Sequence, residues 1–223
     1  NQIHQGDCLA LMPSIPDKSI DMILCDLPYG TTNCEWDSII DMGKLWAEYE
    51  RVIKDNGAIV LTANSVFTFQ LWESNKRLFR YKWIWVKNKK LRFLNAKKMP
   101  LTQHEDILIF YKSLPIYNPI KVKTRKGGKP KRIPGEYQGF NRATLKQQNI
   151  IDDGFSYPSD VLQLDESNYN SIHPTQKPVA LFEYLIKTYT NENDLVLDNC
   201  SGSGTTAIAC LNSNRRYICI EQN

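Results

Sequence analysis

Apolar positions along the chain fall into two rhythms. Short continuous runs at Ile20–Cys25 (IDMILC), 58–62 (AIVLT), 82–87 (KWIWVK), 106–111 (DILIFY), Leu195–Asp198 and 217–221 (YICIE) have the length and composition of buried strands. Between them the spacing changes. Met42, Leu45, Trp46, Tyr49, Val52 and Ile53 mark one face of a helix that begins at Asp41. Asn56-Gly57 supplies an expected left-handed stop to that helix. Residues 67–79 are expected to be helical and 8–15 to form a short helix or turn. Pro178 suits a first helical position, with Leu181, Phe182, Leu185, Ile186 and Tyr189 continuing one face, and Thr205–Asn212 reads as the last helix. Alternation of this kind predicts an α/β fold: a mainly parallel, doubly wound sheet with helices on both faces. From about residue 113 to 170 the periodicity dissolves, which predicts an irregular insertion inside the domain.

The strand Ile20–Cys25 runs into Asp26-Leu27-Pro28-Tyr29 and then Gly30. That turn offers a carboxylate, backbone carbonyls stiffened by proline, and an aromatic face. Such a set suits a flat molecule with an amino group: acceptors for its N–H donors and a ring to stack on its plane. An ordinary strand-end turn with a core tyrosine fits the same four residues.

A second turn, Asp198-Asn199-Cys200-Ser201-Gly202-Ser203-Gly204-Thr205-Thr206, joins a strand to a helix. Glycines there let backbone approach a ligand, and the helix start points N–H groups at it. Glu221, ending the next strand, could accept from both hydroxyls of a ribose, so an adenosine-type cofactor is expected. Gly202-x-Gly204-x-x-Ala207 also fits the dinucleotide fingerprint, and a tight turn with no ligand fits too. The chain stops two residues after Glu221, so the rest of a nucleotide site must come from sheet built by the N-terminal residues.

Composition narrows the class. With 223 residues and 42% hydrophobic positions the chain can bury one sizeable core. No apolar stretch is long enough to span a membrane. No secretory leader is expected from the polar opening Asn1 to Asp7, and the missing initial Met suggests a true start further upstream. Six cysteines without a C-x-x-C pair, beside apolar segments, suggest free thiols in a reducing cytoplasm. The three histidines lie far apart, so no metal site is expected. Net charge is only +4, yet thirteen of the 28 basic residues sit in two acid-free stretches, 87–98 and 121–132. Clustering of this kind marks contact with a polyanion, although a solvated charge run would look similar.

Read together, these motifs resemble the permuted, β-class DNA amino-methyltransferases that use S-adenosylmethionine. Asp26-Leu27-Pro28-Tyr29 is similar to their catalytic motif. His173-Pro174-Thr175-Gln176-Lys177-Pro178 is similar to the segment entering the first cofactor-side helix. Asp198 with Ser201 to Thr206 resembles the methionine-binding loop, and Gly6-Asp7-Cys8 the segment whose Asp holds the cofactor's adenine amine. Softer echoes are Trp83-Ile84-Trp85-Val86-Lys87-Asn88 and His104-Glu105-Asp106-Ile107-Leu108. The order of motifs also explains the chain end, because it makes Glu221 and Asp7 neighbours across the sheet.

The resemblance implies a Rossmann-like methyltransferase fold. Residues 1–112 would form the catalytic half, 113–172 a target-recognition insertion and 173–223 the cofactor half. It implies methylation of a flipped-out adenine at N6, with Asp26, the Leu27 carbonyl, Pro28 and Tyr29 as catalytic residues. Asp26, where cytosine enzymes more often carry Ser, favours adenine. Cytosine-N4 methylation and a non-catalytic DNA-binding subunit of the same fold are the alternatives. S-adenosyl-L-methionine would be held by Asp7, Cys8, Asp26, Thr175, Lys177, Asp198, Cys200, Ser201, Gly202, Ser203, Gly204, Thr205 and Glu221. Lys121, Lys123, Arg125, Lys126, Lys129, Lys131 and Arg132 would bind DNA phosphates, with Gln138, Asn141, Arg142 or Gln147 reading bases. His173 would be structural, and Cys25 a packed core thiol. A homodimer and a restriction endonuclease partner are expected from the family. Two departures stand out: Leu27 in place of proline, where only the carbonyl is needed, and Asn199-Cys200 in place of Pro-Phe.

Overall fold

The computed structural model describes residues 1–30, 38–123, 130–131, 150–151, 154–164 and 176–222. The chain divides into two units, Asn1–Asn118 with Asp160–Asn223, and Pro119–Ser159.

The first unit is built on an eight-stranded sheet. In chain order its elements are β1 (Gln2–Gln5), α1 (Cys8–Leu11), β2 (Ile20–Cys25), α2 (Met42–Val52), β3 (Ile53–Ala63), α3 (Val66–Ser74), β4 (Phe79–Leu91) and β5 (Thr102–Phe110). The second unit contributes β6 (Val122–Lys123), β7 (Pro130–Lys131), β8 (Ile150–Ile151) and β9 (Phe155–Ser156). The chain then returns with β10 (Val161–Gln163), α4 (Val179–Tyr189), β11 (Leu195–Asp198), α5 (Thr205–Asn212) and β12 (Arg216–Glu221). Spatially the sheet runs β1-β12-β11-β2-β3-β5-β4-β10. The β3/β5 and β5/β4 ladders are antiparallel; the other five are parallel.

Successive strand residues face opposite sides, and two cores result. Ile23, Cys25, Ile59, Leu61, Leu108 and Phe110 join α1, α2 and α3 on one face. Met22, Leu24, Val60, Ile107 and Ile109 join α4 and α5 on the other. The doubly wound α/β sandwich expected from the alternation is therefore present.

Three local expectations are corrected. Helix α2 does not end at an Asn56-Gly57 left-handed stop. Ile53 is already extended (φ −72°, ψ 139°), and Gly57 lies inside β3. Gly57 is needed for space: a Cβ there would lie 2.6 Å from Ile53 Cδ1 and 2.8 Å from the Asp21 carbonyl oxygen. The helix expected over 67–79 spans Val66–Ser74, and Phe79 already opens β4. Val161–Gln163, within the stretch of lost periodicity, pairs in parallel with Ile84 to Val86. In the second unit β6 pairs with β9 and β7 with β8, both antiparallel.

Candidate active site

Strand β2 ends at Cys25 and delivers Asp26 to the C-terminal edge of the sheet, where open α/β folds bind ligands. Three groups hold its carboxylate. Oδ1 accepts from the Tyr29 phenol at 2.8 Å and from the Thr62 hydroxyl, while Oδ2 accepts from the Lys177 ammonium at 2.7 Å. Thr62 lies in β3 and Lys177 just before α4, so three separate segments converge on one side chain. Leu27 is buried, its side chain in the first core. The Tyr29 ring stacks on Phe67 with centroids 5.0 Å apart and planes at 24°, and Lys177 Nζ lies 5.5 Å from its centroid. Burial, then the Asp26 and Glu105 charges, push the Tyr29 phenol well above its usual range, so it stays a donor.

Lys177, expected toward the cofactor, reaches this motif and a second carboxylate. Its Nζ is 3.3 Å from Glu105 Oε2, and Lys87 pairs with the other Glu105 oxygen. Burial alone would lower the Lys177 pKa, but Asp26 and Glu105 together hold it above its ordinary value. The sequence motifs single out neither Thr62 nor Glu105 as functional. Glu105 falls in the softer echo His104 to Leu108, which gave it no role of its own.

The glycine turn stands on the neighbouring strand. Gly202 (φ +49°) and Gly204 (φ +82°) are left-handed, the conformation glycine adopts at least cost, and Gly204 caps α5. A Cβ at either would meet no protein atom within 4 Å, so the loop surface faces open space. Gly202 N–H donates to Glu221 Oε2 at 2.6 Å and Ser201 N–H to the Ile220 carbonyl at 3.0 Å, tying the turn to the end of β12. There β1 runs beside β12 with Gln5 opposite Glu221, and Gly6 N–H donates to the Glu221 carbonyl at 2.8 Å. The two chain ends thus meet as the motif order implied. Asp7 caps α1, accepting from Ala10 N–H at 2.9 Å.

Beneath the turn, Asp198 accepts from the Thr206 hydroxyl and from Cys200 N–H at 3.1 Å. Burial raises its pKa to about 6 against those bonds. Cys8, Cys25 and Cys200 gather beside it. Cys200 lowers the Cys8 thiol to about 7, while burial lifts Cys25 to about 12. Cys25 is a fully buried core thiol. Two left-handed glycines bordered by open space, a helix start without a side-chain cap and a carboxylate at the next strand end fit an adenosine-bearing sulfonium ligand.

In the second unit Lys121 and Lys123 are exposed, and Lys121 Nζ lies 5.2 Å from the Tyr157 ring centroid. Lys131 lies in β7. His173, Thr175, Arg125, Lys126, Lys129, Arg132 and the four candidate base readers lie outside the described residues. Of the basic stretch 87–98, Lys87 turns to Glu105, while Lys89, Lys90, Arg92, Lys97 and Lys98 are exposed on the β4–β5 hairpin. No group of His, Cys, Asp and Glu among the described residues could hold a metal ion. Likewise no helix among them is long and apolar enough to cross a membrane.

Fold and motif order together define a methyltransferase of the Rossmann-like class, with its acceptor motif ahead of its glycine loop. The family described as DNA methylase, the N6/N4 class, matches residues 20–223. The chain belongs to this family, whose methyl donor is S-adenosylmethionine. It is 30% identical over 236 residues to the DNA adenine methyltransferase YhdJ of Escherichia coli (strain K12), spanning 99% of this chain and 78% of that protein. It is 31% identical over 253 residues to the type II methyltransferase M2.MboI of Moraxella bovis, spanning 99% and 82%. Among solved structures, the M1.HpyAVI–SAM complex superposes with a TM-score of 0.64 at 23% identity, covering 100% of this chain and 93% of that one. The cytosine-N4-specific PvuII DNA methyltransferase does so with 0.66 at 19%, covering 99% and 81%.

Proposed function

We propose that this chain is a site-specific DNA adenine-N6 methyltransferase that acts on an adenine turned out of the duplex. The observation that carries the reading is the Asp26 carboxylate, oriented from three sides at the strand end where the family's acceptor motif falls. Likeness to a DNA adenine methyltransferase over 99% of the chain supports it.

An aromatic amine is a weak nucleophile because its lone pair is delocalised into the ring. Asp26 and the Leu27 carbonyl would accept its two N–H groups, favour a pyramidal nitrogen and stabilise the positive charge that develops there. Tyr29 and Thr62 keep Asp26 Oδ1 aimed, and Tyr29 would flank the base. Gly202 to Thr205, Asp198, Glu221 and Asp7 would hold S-adenosylmethionine, which supplies a methyl carbon made electrophilic by its sulfonium. Positioning amine and methyl in line accounts for much of the remaining barrier. The basic hairpin and Lys121 and Lys123 would neutralise phosphates, giving a salt-dependent affinity blind to sequence.

Incubation with labelled cofactor and mixed DNA, followed by nucleoside analysis, tests the reading. N6-methyladenine is expected, and Asp26→Ala should abolish it. N4-methylcytosine instead would replace adenine by cytosine; full activity in Asp26→Ala would remove the assignment altogether. A homodimer and a cognate restriction endonuclease belong to the same proposal. Sedimentation of the purified chain tests the first, and cleavage of unmethylated but not methylated DNA by the host's extract tests the second.

A further inference from the structure

We propose that Glu105 is a positioning residue for methyl transfer. It holds the Lys177 ammonium against Asp26, and so sets the orientation and the effective charge of the carboxylate that receives the target amine. This rests on the role just given to Asp26.

Glu105 stands in β5, opposite Trp85 of β4, and belongs to neither the acceptor motif nor the glycine turn. It is 5% exposed. Oε1 is taken by Lys87, whereas Oε2 meets Lys177 at 3.3 Å as an ion contact and has no hydrogen-bond partner. The indole N–H of Trp85 is likewise buried without one. Stability alone does not explain this arrangement. Buried ion pairs gain little over apolar residues of the same volume, and an unsatisfied carboxylate oxygen is costly. The charges form an alternating row instead: Lys87, Glu105, Lys177, Asp26.

A lysine paired with Asp26 alone would neutralise it and weaken it as an acceptor. A second anion on the same ammonium draws part of that charge away. It also fixes where the ammonium sits, because a flexible four-carbon stem does not do so by itself. Lys177 remains protonated throughout, so it orients Asp26 and does not take a proton from the amine. The other titratable groups acting on Asp26 or acted on by it are Tyr29 from the motif loop, Cys25 of β2 and Asp198 of β11. None of them supplies a positive charge.

The test uses Glu105→Gln, Lys177→Met, Lys177→Arg and the Glu105→Gln/Lys177→Met double variant, with Asp26→Ala as reference. Single-turnover methyl transfer is followed, and S-adenosylmethionine affinity is measured by calorimetry. Glu105→Gln should slow transfer by about 10-fold with cofactor affinity within about twofold, since it acts only through the reacting carboxylate. Lys177→Met should slow transfer as well, and Lys177→Arg should recover part of the rate. The double variant should be no slower than Lys177→Met alone, because Glu105 works through Lys177. Unchanged transfer in Glu105→Gln, a loss confined to cofactor affinity, no recovery in Lys177→Arg, or additive losses would each overturn the proposal. If Asp26→Ala stays active, the role of Asp26 fails, and with it this one. If Asp26→Ala is inactive and Glu105→Gln is normal, only the present inference fails.

Discussion

The Tyr49 phenol donates to the Asn199 side-chain oxygen at 2.5 Å, with both residues buried. This bond joins α2 to the turn after β11, across 150 positions of chain. It also satisfies the Asn199 side chain: a buried amide oxygen is acceptable once a donor faces it. Tyr49→Phe removes the donor and strands the acceptor, at a cost of about 1–3 kcal/mol. Urea unfolding of the two proteins measures it. A difference under about half a kcal/mol, well below that penalty, would mean the amide finds another partner.

Gly57→Ala should destabilise the sheet through crowding. The added methyl meets Ile53 and the backbone oxygen of Asp21, and the latter cannot swing away. Overpacking of this kind costs about 1–3 kcal/mol, read as a lower urea midpoint at unchanged slope. A stability equal to the parent would show that β2 and β3 separate freely at this point.

Asp198 makes folding weaker as pH rises. Its carboxyl pKa moves from 3.8 to about 6 in the folded chain, so the folded state binds that proton more tightly. The resulting contribution is fully present below about pH 4 and is lost between about pH 4 and 6, amounting to roughly 3 kcal/mol. Asp198→Asn removes it. The stability of the variant relative to the parent should therefore climb across that window and level off above it. Urea titrations across that range test this, and a difference constant with pH would contradict it.

The β4–β5 hairpin should carry a share of DNA affinity. Lys89, Lys90, Lys97 and Lys98 are exposed there, around Phe93 and Leu94, which are 74% and 84% exposed. Replacing the four lysines by alanine should weaken binding to all DNA sequences alike. The slope of log affinity against log salt should fall by roughly 0.9 for each phosphate that is no longer neutralised. Cofactor binding should be unaffected. An unchanged slope would leave these charges as a merely solvated surface.

Much of the fold is legible in the sequence because its signals are local. Runs such as Ile20–Cys25 and the helical face of α4 are read from spacing alone, and both stand where the pattern puts them. The end of α2 is misleading in the sequence because Asn56-Gly57 is chemically a good helix stop. Ile53 has already entered β3, whose pairing with β2 outweighs local preference. Strand β10 is invisible there because three residues, with only Leu162 buried, carry no periodicity. In the site, the acceptor motif and glycine turn are visible as motifs. Thr62 and Glu105 are not, since a polar residue in or beside an apolar strand says nothing of what it faces.

The sequence by itself determined six strands of the sheet, the helices between them and the two motif turns, while the order of motifs implied that the chain ends meet. Turn chemistry and hydrophobic period are properties of neighbouring residues. Only the tertiary structure decided which charges share the acceptor site. Strand residues alternate between faces, so one step of register separates Glu105 from Asp106. Asp106 faces Thr68 and Lys82, while Glu105 meets Lys87 and Lys177 and through Lys177 reaches Asp26. Sheet order and register bring positions 26, 105 and 177 together, and no local pattern in the chain encodes that contact.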